Sequence, residues 1–129
     1  MNSFYKAHLV ISAIVVFTAA LVYGGNPSYA MPLIFDFEVN QLEHKNIFRA
    51  LMGLYMAFAI YWMVGTLNAK HFLSATLSNV IFMAGLVFGR FISTIVDGPS
   101  TPYTLGMLLE LLMVFWGIYN IKKYKQDAV

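Results

Sequence analysis

Four long apolar runs dominate this chain, at residues 7–23, 47–67, 72–96 and 103–121. Each run approaches or exceeds the ~20 residues that a helix needs to cross about 30 Å of hydrocarbon. The runs are apolar on all sides, which is typical of helices in lipid. Because lipid offers backbone amides no partner, each run is predicted as a helix. The predicted fold class is therefore all-α: an integral membrane four-helix bundle that forms one domain over residues 1–129.

The first run has a second interpretation. Lys6 precedes it, and Ser28-Tyr29-Ala30 follows it as a small-x-small cleavage site, so the segment also resembles a secretory signal. The apolar run is longer than the about 7–15 residues of a signal peptide. We therefore predict a first membrane span and keep the signal as the alternative.

The connection over residues 24–46 is the only long one. Gly24-Gly25-Asn26-Pro27 ends the first helix, because glycine is flexible and proline stops a helix. Beyond Pro32, apolar positions at helical spacing oppose polar ones, which predicts a short amphipathic helix on the outer surface. These positions are Phe35, Val39 and Leu42 against Asp36, Asn40 and Glu43. The other connections are brief, so the second, third and fourth spans are predicted to be antiparallel neighbours.

Composition supports the membrane assignment and excludes several functions. The chain is 60% hydrophobic and 11% charged, with a mean hydropathy of +0.69. A soluble domain is about 25% charged, so this chain could not cover its surface in water. The net charge of +2 does not indicate nucleic-acid binding, because the basic residues gather near span ends and form no phosphate-neutralising stripe. The absence of cysteine excludes disulfides, thiolate metal sites and thiol nucleophiles.

The basic residues near the span ends divide five to two between the two sides of the membrane. The five are Lys6, Lys70, Lys122, Lys123 and Lys125, and the two are Lys45 and Arg49. The side with two also carries Asp36, Glu38, Glu43 and Asp97. Lysine and arginine concentrate on the cytoplasmic side of membrane proteins. Both termini of a multi-pass plasma-membrane protein are therefore predicted to be cytoplasmic.

Two charged residues lie deep inside predicted spans. Glu110 is about 10 Å below the outer edge of the fourth span, and Arg90 is about 9 Å below the outer edge of the third. The two spans run in opposite directions, so the side chains reach the same level. An unpaired charge in hydrocarbon costs at least about 2.5–3.5 kcal/mol, which predicts an Arg90–Glu110 ion pair. The pair either creates a polar site or only fixes the register of the helices.

Further polar residues extend the candidate ligand-binding site to Arg49, Arg90, Ser93, Asp97 and Glu110. Arg49 either joins Arg90 or reaches lipid headgroups. Asp97 either supplies a second carboxylate or serves the tight turn that Gly98 and Pro99 continue. Ser93 either donates into the site or bonds back to its own helix. No catalytic residue can be named from these positions.

Glycines lie at the same level. Gly85 and Gly89 form a small-xxx-small step beside Arg90, and Gly106 and Gly117 share a helix face with Glu110. Small residues allow membrane helices to pack closely. We predict a crevice between the second and third spans that opens to the outer leaflet and takes an anionic lipid headgroup or amphiphile, with its acyl part along the third span's glycines.

No metal and no cofactor are predicted. His8 and His71 lie near the inner edge and His44 near the outer one, so haem ligation by His44 and an inner histidine would have to cross the membrane. No Glu-x-x-His or His-x-x-x-His spacing is present for a metal site. Glu43 beside His44 is the remaining metal alternative. The histidines are otherwise interpreted as interfacial residues.

Four sequence segments between Asn46 and Lys123 resemble a known family. They are residues 48–55 (FRALMGLY), 89–93 (GRFIS), 97–99 (DGP) and 109–111 (LEL). In this order and spacing they are similar to the bacterial four-span membrane proteins described as domain of unknown function 4345. The resemblance implies four helices and a shared polar set of Arg49, Arg90, Asp97 and Glu110, but no activity. A more distant likeness to DoxX-type proteins concerns topology alone, and fold analogy does not identify function.

Three functions fit these features. The leading hypothesis is a non-enzymatic scaffold, homo-oligomer or accessory subunit of a membrane complex, with membrane lipids as its surroundings. The alternative is a lipid- or amphiphile-binding protein, or an enzyme, whose polar site opens to the outer leaflet. A transporter would require a dimer, since four spans leave no room for paired inverted repeats. A cavity beside Arg90 would favour binding, whereas arginines and carboxylates that satisfy each other without a cavity would favour the scaffold.

Overall fold

The computed structural model describes residues 1–127, and this part of the chain contains five helices and no strand. They are α1 (Ser3–Gly24), α2 (Pro27–Phe35), α3 (Leu42–Leu67), α4 (Ala69–Val96) and α5 (Thr101–Asp127). The four longer helices are long and apolar enough to cross a membrane. The all-α fold and the four predicted spans are therefore confirmed.

Short polar segments set where the long helices begin and end. The Asn2 side chain accepts a hydrogen bond from the backbone N–H of Phe4 and caps the start of α1. Asn68 alone separates α3 from α4, and its side chain accepts from the N–H of Lys70. Gly98 has a φ of 102°, which an L side chain rarely adopts, and lets α4 turn into α5. Asparagine is a preferred residue at the N-cap of a helix.

The long connection does contain a short helix, but at a different place from the predicted one. The helix α2 begins before Pro32 and shares only residues 33–35 with the predicted segment, because Pro27 is compatible with a first helical turn. It ends where Asp36 adopts a left-handed conformation with φ 59°. Residues 37–40 are not helical, and Val39 is buried while its carbonyl accepts a hydrogen bond from Ser28. Tertiary contact of this apolar residue therefore overrides the helical spacing on which the prediction rested.

The bundle is closed by α1. The helices α3, α4 and α5 pack as consecutive neighbours, as predicted, and α1 packs chiefly against α3 with smaller contacts to α4 and α5. One face of α1 supplies much of the core through Leu9, Ala13, Val16 and Ala20. Their spacing of three and four residues is that of a single helix face. The first run is thus an integral part of the bundle.

Each end of the bundle has its own aromatic group. We call the end of the bundle that holds Ser3 and Asp127 the termini end, and the opposite end, where α4 turns into α5, the turn end. Tyr5 and Tyr124 meet at the termini end, with ring centroids 5.9 Å apart. Phe35 and Tyr103 stack at the turn end with ring centroids 5.1 Å apart. Aromatic pairs at these distances contribute beyond the area they bury.

Large apolar side chains face outward on all four long helices. Ile14, Leu54, Phe88 and Leu112 are each more than half exposed. Soluble monomers rarely expose contiguous apolar surface on this scale. The bundle is therefore built to be surrounded by hydrocarbon, and the chain is a multi-pass membrane protein.

The lysine asymmetry leads to a first experimental prediction, with the turn end outside the cell. The natural chain contains no cysteine, so single-cysteine variants need no other change. In intact cells, a membrane-impermeant thiol reagent should label Asn40→Cys. It should label Lys123→Cys only after the cells are opened.

Labelling of both variants after lysis serves as the control for accessibility and expression. If Lys123→Cys were labelled in intact cells and Asn40→Cys protected, the lysine distribution would have predicted the wrong orientation.

Candidate functional site

Arg90 and Glu110 form the ion pair that their depths predict. The guanidinium Nε of Arg90 donates to both carboxylate oxygens of Glu110, at 3.2 and 2.9 Å, and its Nη2 donates to Oε1 at 2.9 Å. The two side chains are only 20% and 14% exposed. Bidentate arginine–carboxylate contacts are among the strongest hydrogen bonds in proteins and fix the relative orientation of the two side chains. The pair thus locks α4 to α5 near the turn end.

Two further residues of α5 shape the surroundings of the guanidinium. The Tyr103 ring lies 5.0 Å from the Arg90 Cζ, which is a cation–π distance. A side-chain carbon at Gly106 would lie 3.9 Å from the same Cζ. Glycine at this position leaves the space into which the guanidinium extends. The arginine is therefore held on α5 by Glu110 and Tyr103, in the space that Gly106 leaves open.

A cavity of about 290 Å³ lies beside the ion pair, between the ends of α4 and α5. Five of its eight lining residues carry hydroxyl groups, and Arg90 adds its guanidinium. The lining consists of Gly89, Arg90, Ser93, Thr94, Gly98, Ser100, Tyr103 and Thr104. The hydroxyl of Thr94 already donates to the Arg90 carbonyl at 2.8 Å. The hydroxyls of Ser100, Tyr103 and Thr104 and the guanidinium can offer hydrogen bonds to an acceptor group.

A crevice of about 300 Å³ lies on the other side of Arg90 and involves all four long helices. It is mostly apolar and aromatic. Its lining consists of Tyr23, Phe48, Leu51, Tyr55, Gly85, Leu86, Gly89, Arg90 and Tyr103. Side-chain carbons at Gly85 and Gly89 would meet nothing within 4 Å, so these glycines leave open space. The cavity and the crevice share Gly89, Arg90 and Tyr103.

The structure assembles the five predicted site residues only in part. Ser93 lines the cavity, but its hydroxyl donates to the Asp97 carboxylate at 3.0 Å. Asp97 is exposed at the end of α4. Arg90 and Glu110 form the only ion pair within residues 1–127, so Asp97 and Arg49 stand outside it. The ligand-binding role of the set stays a prediction.

Arg49 lines neither the cavity nor the crevice. The crevice is lined from α3 by Phe48, Leu51 and Tyr55, whose spacing is that of one helix face. Arg49 lies on another face, together with Asn46 and Gly53, and all three are exposed. An exposed arginine close to a helix end suits contact with lipid headgroups.

A second polar layer lies in the half of the bundle toward the termini end. His8 is fully buried, and its Nε2–H donates to the Met113 carbonyl at 3.0 Å. The interpretation of His8 as an interfacial residue was therefore wrong. Asn79 and Asn120 are also fully buried, and their side-chain amides make no hydrogen bond within residues 1–127. An unsatisfied buried amide costs on the order of 1–3 kcal/mol.

The spacing of two asparagines in the sequence is a signal for this second layer, although the predictions above do not include it. Asn79 lies eleven residues before Arg90, and Asn120 lies ten residues after Glu110. Arg90 and Glu110 lie at the same height in the bundle, and α4 and α5 run in opposite directions. Moving back along α4 and forward along α5 by nearly the same number of residues therefore brings Asn79 and Asn120 to the same height. A polar amide inside an apolar span is expensive and favours the bundle interior. His8 has no such signal, because its position near the start of a span is equally typical of a membrane interface.

No group of three or more histidine, aspartate or glutamate side chains is arranged for a metal ion within the described part of the chain. The groups that the site offers are hydrogen-bond donors and an ion pair. The fold and this site define a class: a small multi-pass membrane protein with a polar site inside a four-helix bundle.

Residues 4–120 match the model of the family described as Domain of unknown function (DUF4345), and the chain belongs to this family. No curated protein matches the chain. No solved structure matches it either.

Proposed function

We propose that this protein binds an anionic amphiphile, such as a lipid with a phosphate or carboxylate headgroup, at the turn end of its bundle. The observation that carries the proposal is the meeting of a hydroxyl-lined cavity and an apolar crevice at one guanidinium, that of Arg90. A polar compartment joined to an apolar one has the shape of an amphiphile. Ligand sites typically combine mostly apolar walls with a few convergent polar groups.

The geometry of the ion pair supports a headgroup on the cavity side. Glu110 accepts from Nε and Nη2, so the Nη1 edge of Arg90 takes no part in the pair. A phosphate or carboxylate oxygen can accept from this edge and from the hydroxyls of Ser100 and Thr104. Glu110 keeps the arginine charge balanced before a ligand arrives, which lowers the cost of holding the arginine in the membrane.

The crevice supports the apolar part of such a ligand. Its walls include the aromatic side chains of Tyr23, Phe48 and Tyr55, and its floor is open beside Gly85 and Gly89. An acyl chain can follow these glycines and continue into the surrounding hydrocarbon. Burial of apolar ligand surface is worth about 25 cal/mol per Å², although surrounding lipid already supplies part of this gain.

Gly89→Leu tests the proposal, because Gly89 lines both compartments and a side chain there meets no atom within 4 Å. The variant should fold normally and fill the site. We expect wild type to carry anionic lipid through gentle detergent purification and to gain thermal stability when such lipid is added. Gly89→Leu should lose both effects, as measured by native mass spectrometry and thermal unfolding.

Gly53→Leu is the matched control, since Gly53 also has open space around it but lies on the exposed face of α3. Arg49→Ala tests whether an exposed arginine is responsible for lipid attraction. Equal lipid retention by wild type, Gly53→Leu and Gly89→Leu would contradict the proposal. Loss in Arg49→Ala alone would assign lipid attraction to the surface.

The second candidate function is that of a self-associating or accessory subunit of a membrane complex. It is favoured by the exposure of Gly85 and Gly89 on α4, where a helix from another chain could approach closely. The same native mass spectra give the mass of the assembly and any partner. We place the protein in the plasma membrane, and in a bacterial inner membrane on the strength of the resemblance, without assigning an enzymatic activity.

A further inference from the structure

The second polar layer is separate from the amphiphile site. At 1.5 Å per residue, Asn79 lies about 16 Å from Arg90 along α4, and Asn120 lies about 15 Å from Glu110 along α5. Apolar core residues such as Met83 and Val114 fill the bundle between the two levels. A function of this layer therefore does not depend on whether the site around Arg90 binds an amphiphile.

Contacts among α1, α4 and α5 bring the layer together. A side-chain carbon at Gly117 would lie 2.5 Å from Val80 Cγ2 and 3.1 Å from His8 Cε1, so these three residues meet at one point. Asn79 lies two turns from Phe72 on the buried face of α4, and Asn120 lies one turn from Tyr124 on α5. The Phe72 and Tyr124 rings are 4.7 Å apart, so both asparagines belong to the same side of the interface between α4 and α5. The absence of a side chain at Gly117 is what admits the imidazole.

Polar atoms in this layer lack partners although they are enclosed. The Nδ1 of His8, the Nε1 of Trp116 and both side-chain amides, of Asn79 and Asn120, make no hydrogen bond within residues 1–127. His8, Asn79 and Asn120 are each 0% exposed, so lipid and bulk water do not reach them. The His8 and Trp116 rings lie 5.4 Å apart. Leaving such groups unpaired is more costly than the gain from an average hydrogen bond.

The chemistry of these atoms selects a small, neutral ligand with both donors and acceptors. Because His8 Nε2 carries the proton that it donates to Met113, Nδ1 is an acceptor in the neutral ring. Trp116 Nε1 is a donor only, whereas each asparagine amide is donor and acceptor. Within residues 1–127, no Asp, Glu, Lys or Arg side chain is fully buried, so an ion in this layer would have no side chain of opposite charge beside it. Water fits this set, and buried waters typically make about three hydrogen bonds.

We propose that His8, Asn79, Trp116 and Asn120 form an internal water-binding site that links α1 to the α4–α5 pair. The direct contacts of α1 with α4 and α5 are sparse compared with its contact with α3. Water shared between side chains of the three helices completes this side of the bundle. Water-mediated hydrogen bonds are nearly as favourable in enthalpy as direct ones.

An aromatic layer closes the site toward the termini end. Tyr5, Phe72 and Tyr124 lie one or two turns beyond His8, Asn79 and Asn120 on their respective helices. Their ring centroids are 6.0, 4.7 and 5.9 Å apart. The Tyr5 hydroxyl donates to Asp127, which anchors the layer at the end of α5. The water in the site is therefore sealed from the nearer aqueous surface and resides there for long periods.

Nuclear magnetic resonance on protein labelled with ¹⁵N at asparagine tests the proposal in lipid nanodiscs. Only Asn79 and Asn120 are buried among the seven asparagines, so two side-chain amides should exchange slowly with deuterium. The same two amides should show Overhauser cross-peaks to water. Amides that are shielded only by apolar side chains or lipid would show no such cross-peaks. Two protected amides without a water cross-peak would overturn the proposal on wild-type protein alone.

The variant Asn79→Leu tests whether Asn79 and Asn120 bind the same water. Asn46→Leu, at an exposed position, is the control. If the site is hydrated, Asn79→Leu weakens or abolishes the water cross-peak of Asn120 and lowers the thermal midpoint. If the site is dry, removal of an unpaired amide raises the midpoint and leaves Asn120 unchanged, which would contradict the proposal. Asn46→Leu should change neither measurement.

Discussion

Replacing Arg90 by glutamine, or Glu110 by glutamine, should lower the free energy of unfolding by about 3 kcal/mol in each case. Each change leaves the other charge without its partner at a largely buried position. The value lies at the lower end of the range for broken buried pairs, because both side chains keep some exposure. Reversible unfolding in mixed detergent micelles measures the loss.

The double variant Arg90→Gln, Glu110→Gln should lose much less than the sum of the two single variants, because it leaves no uncompensated charge. Arg49→Gln is the matched control. It removes an exposed arginine that belongs to no ion pair within the described residues, and should change stability by no more than about 0.5 kcal/mol. Strictly additive losses would mean that Arg90 and Glu110 do not interact.

Gly65→Ala should destabilise the protein by about 1–3 kcal/mol, with more if the helices cannot move apart. A side-chain carbon at Gly65 would overlap the methyl carbon of Ala75 on α4 and would lie 3.3 Å from Leu9 Cδ1 on α1. The added methyl group would therefore press on two neighbouring helices at once. The same unfolding measurement reports the change.

Gly53→Ala is the control in the same helix, because its added carbon would meet nothing within 4 Å. Alanine has a higher helix propensity than glycine, so this variant should be neutral or gain up to about 1 kcal/mol. Equal effects of the two substitutions would indicate that α3 and α4 are not in close contact at Gly65. The sequence alone does not show that Gly65 is in close contact with another helix and that Gly53 is not.

The ion pair was predictable because the cost of an unpaired charge depends only on the depth of the residue in the membrane. A charge in hydrocarbon needs a partner, and helix rise places Arg90 and Glu110 at one level without knowledge of the packing. The two asparagines follow the same rule at a second level. By contrast, the predicted inclusion of Arg49 depended on which face of α3 turns inward, and the apolar run around it leaves that choice open.

The sequence by itself determined the number of spans, the consecutive packing of the last three, and the level of each charged or amide group along the helices. Hydrophobic length, backbone satisfaction in lipid and helix rise are local quantities, so one chain is enough to apply them. Only the tertiary structure decided the rotation of each helix about its axis. That rotation buried His8 against Gly117, left Arg49 exposed, and opened the space beside Gly89. In lipid both faces of an apolar helix are equally well solvated, so helix–helix packing, and not hydrophobicity, selects the face that turns inward.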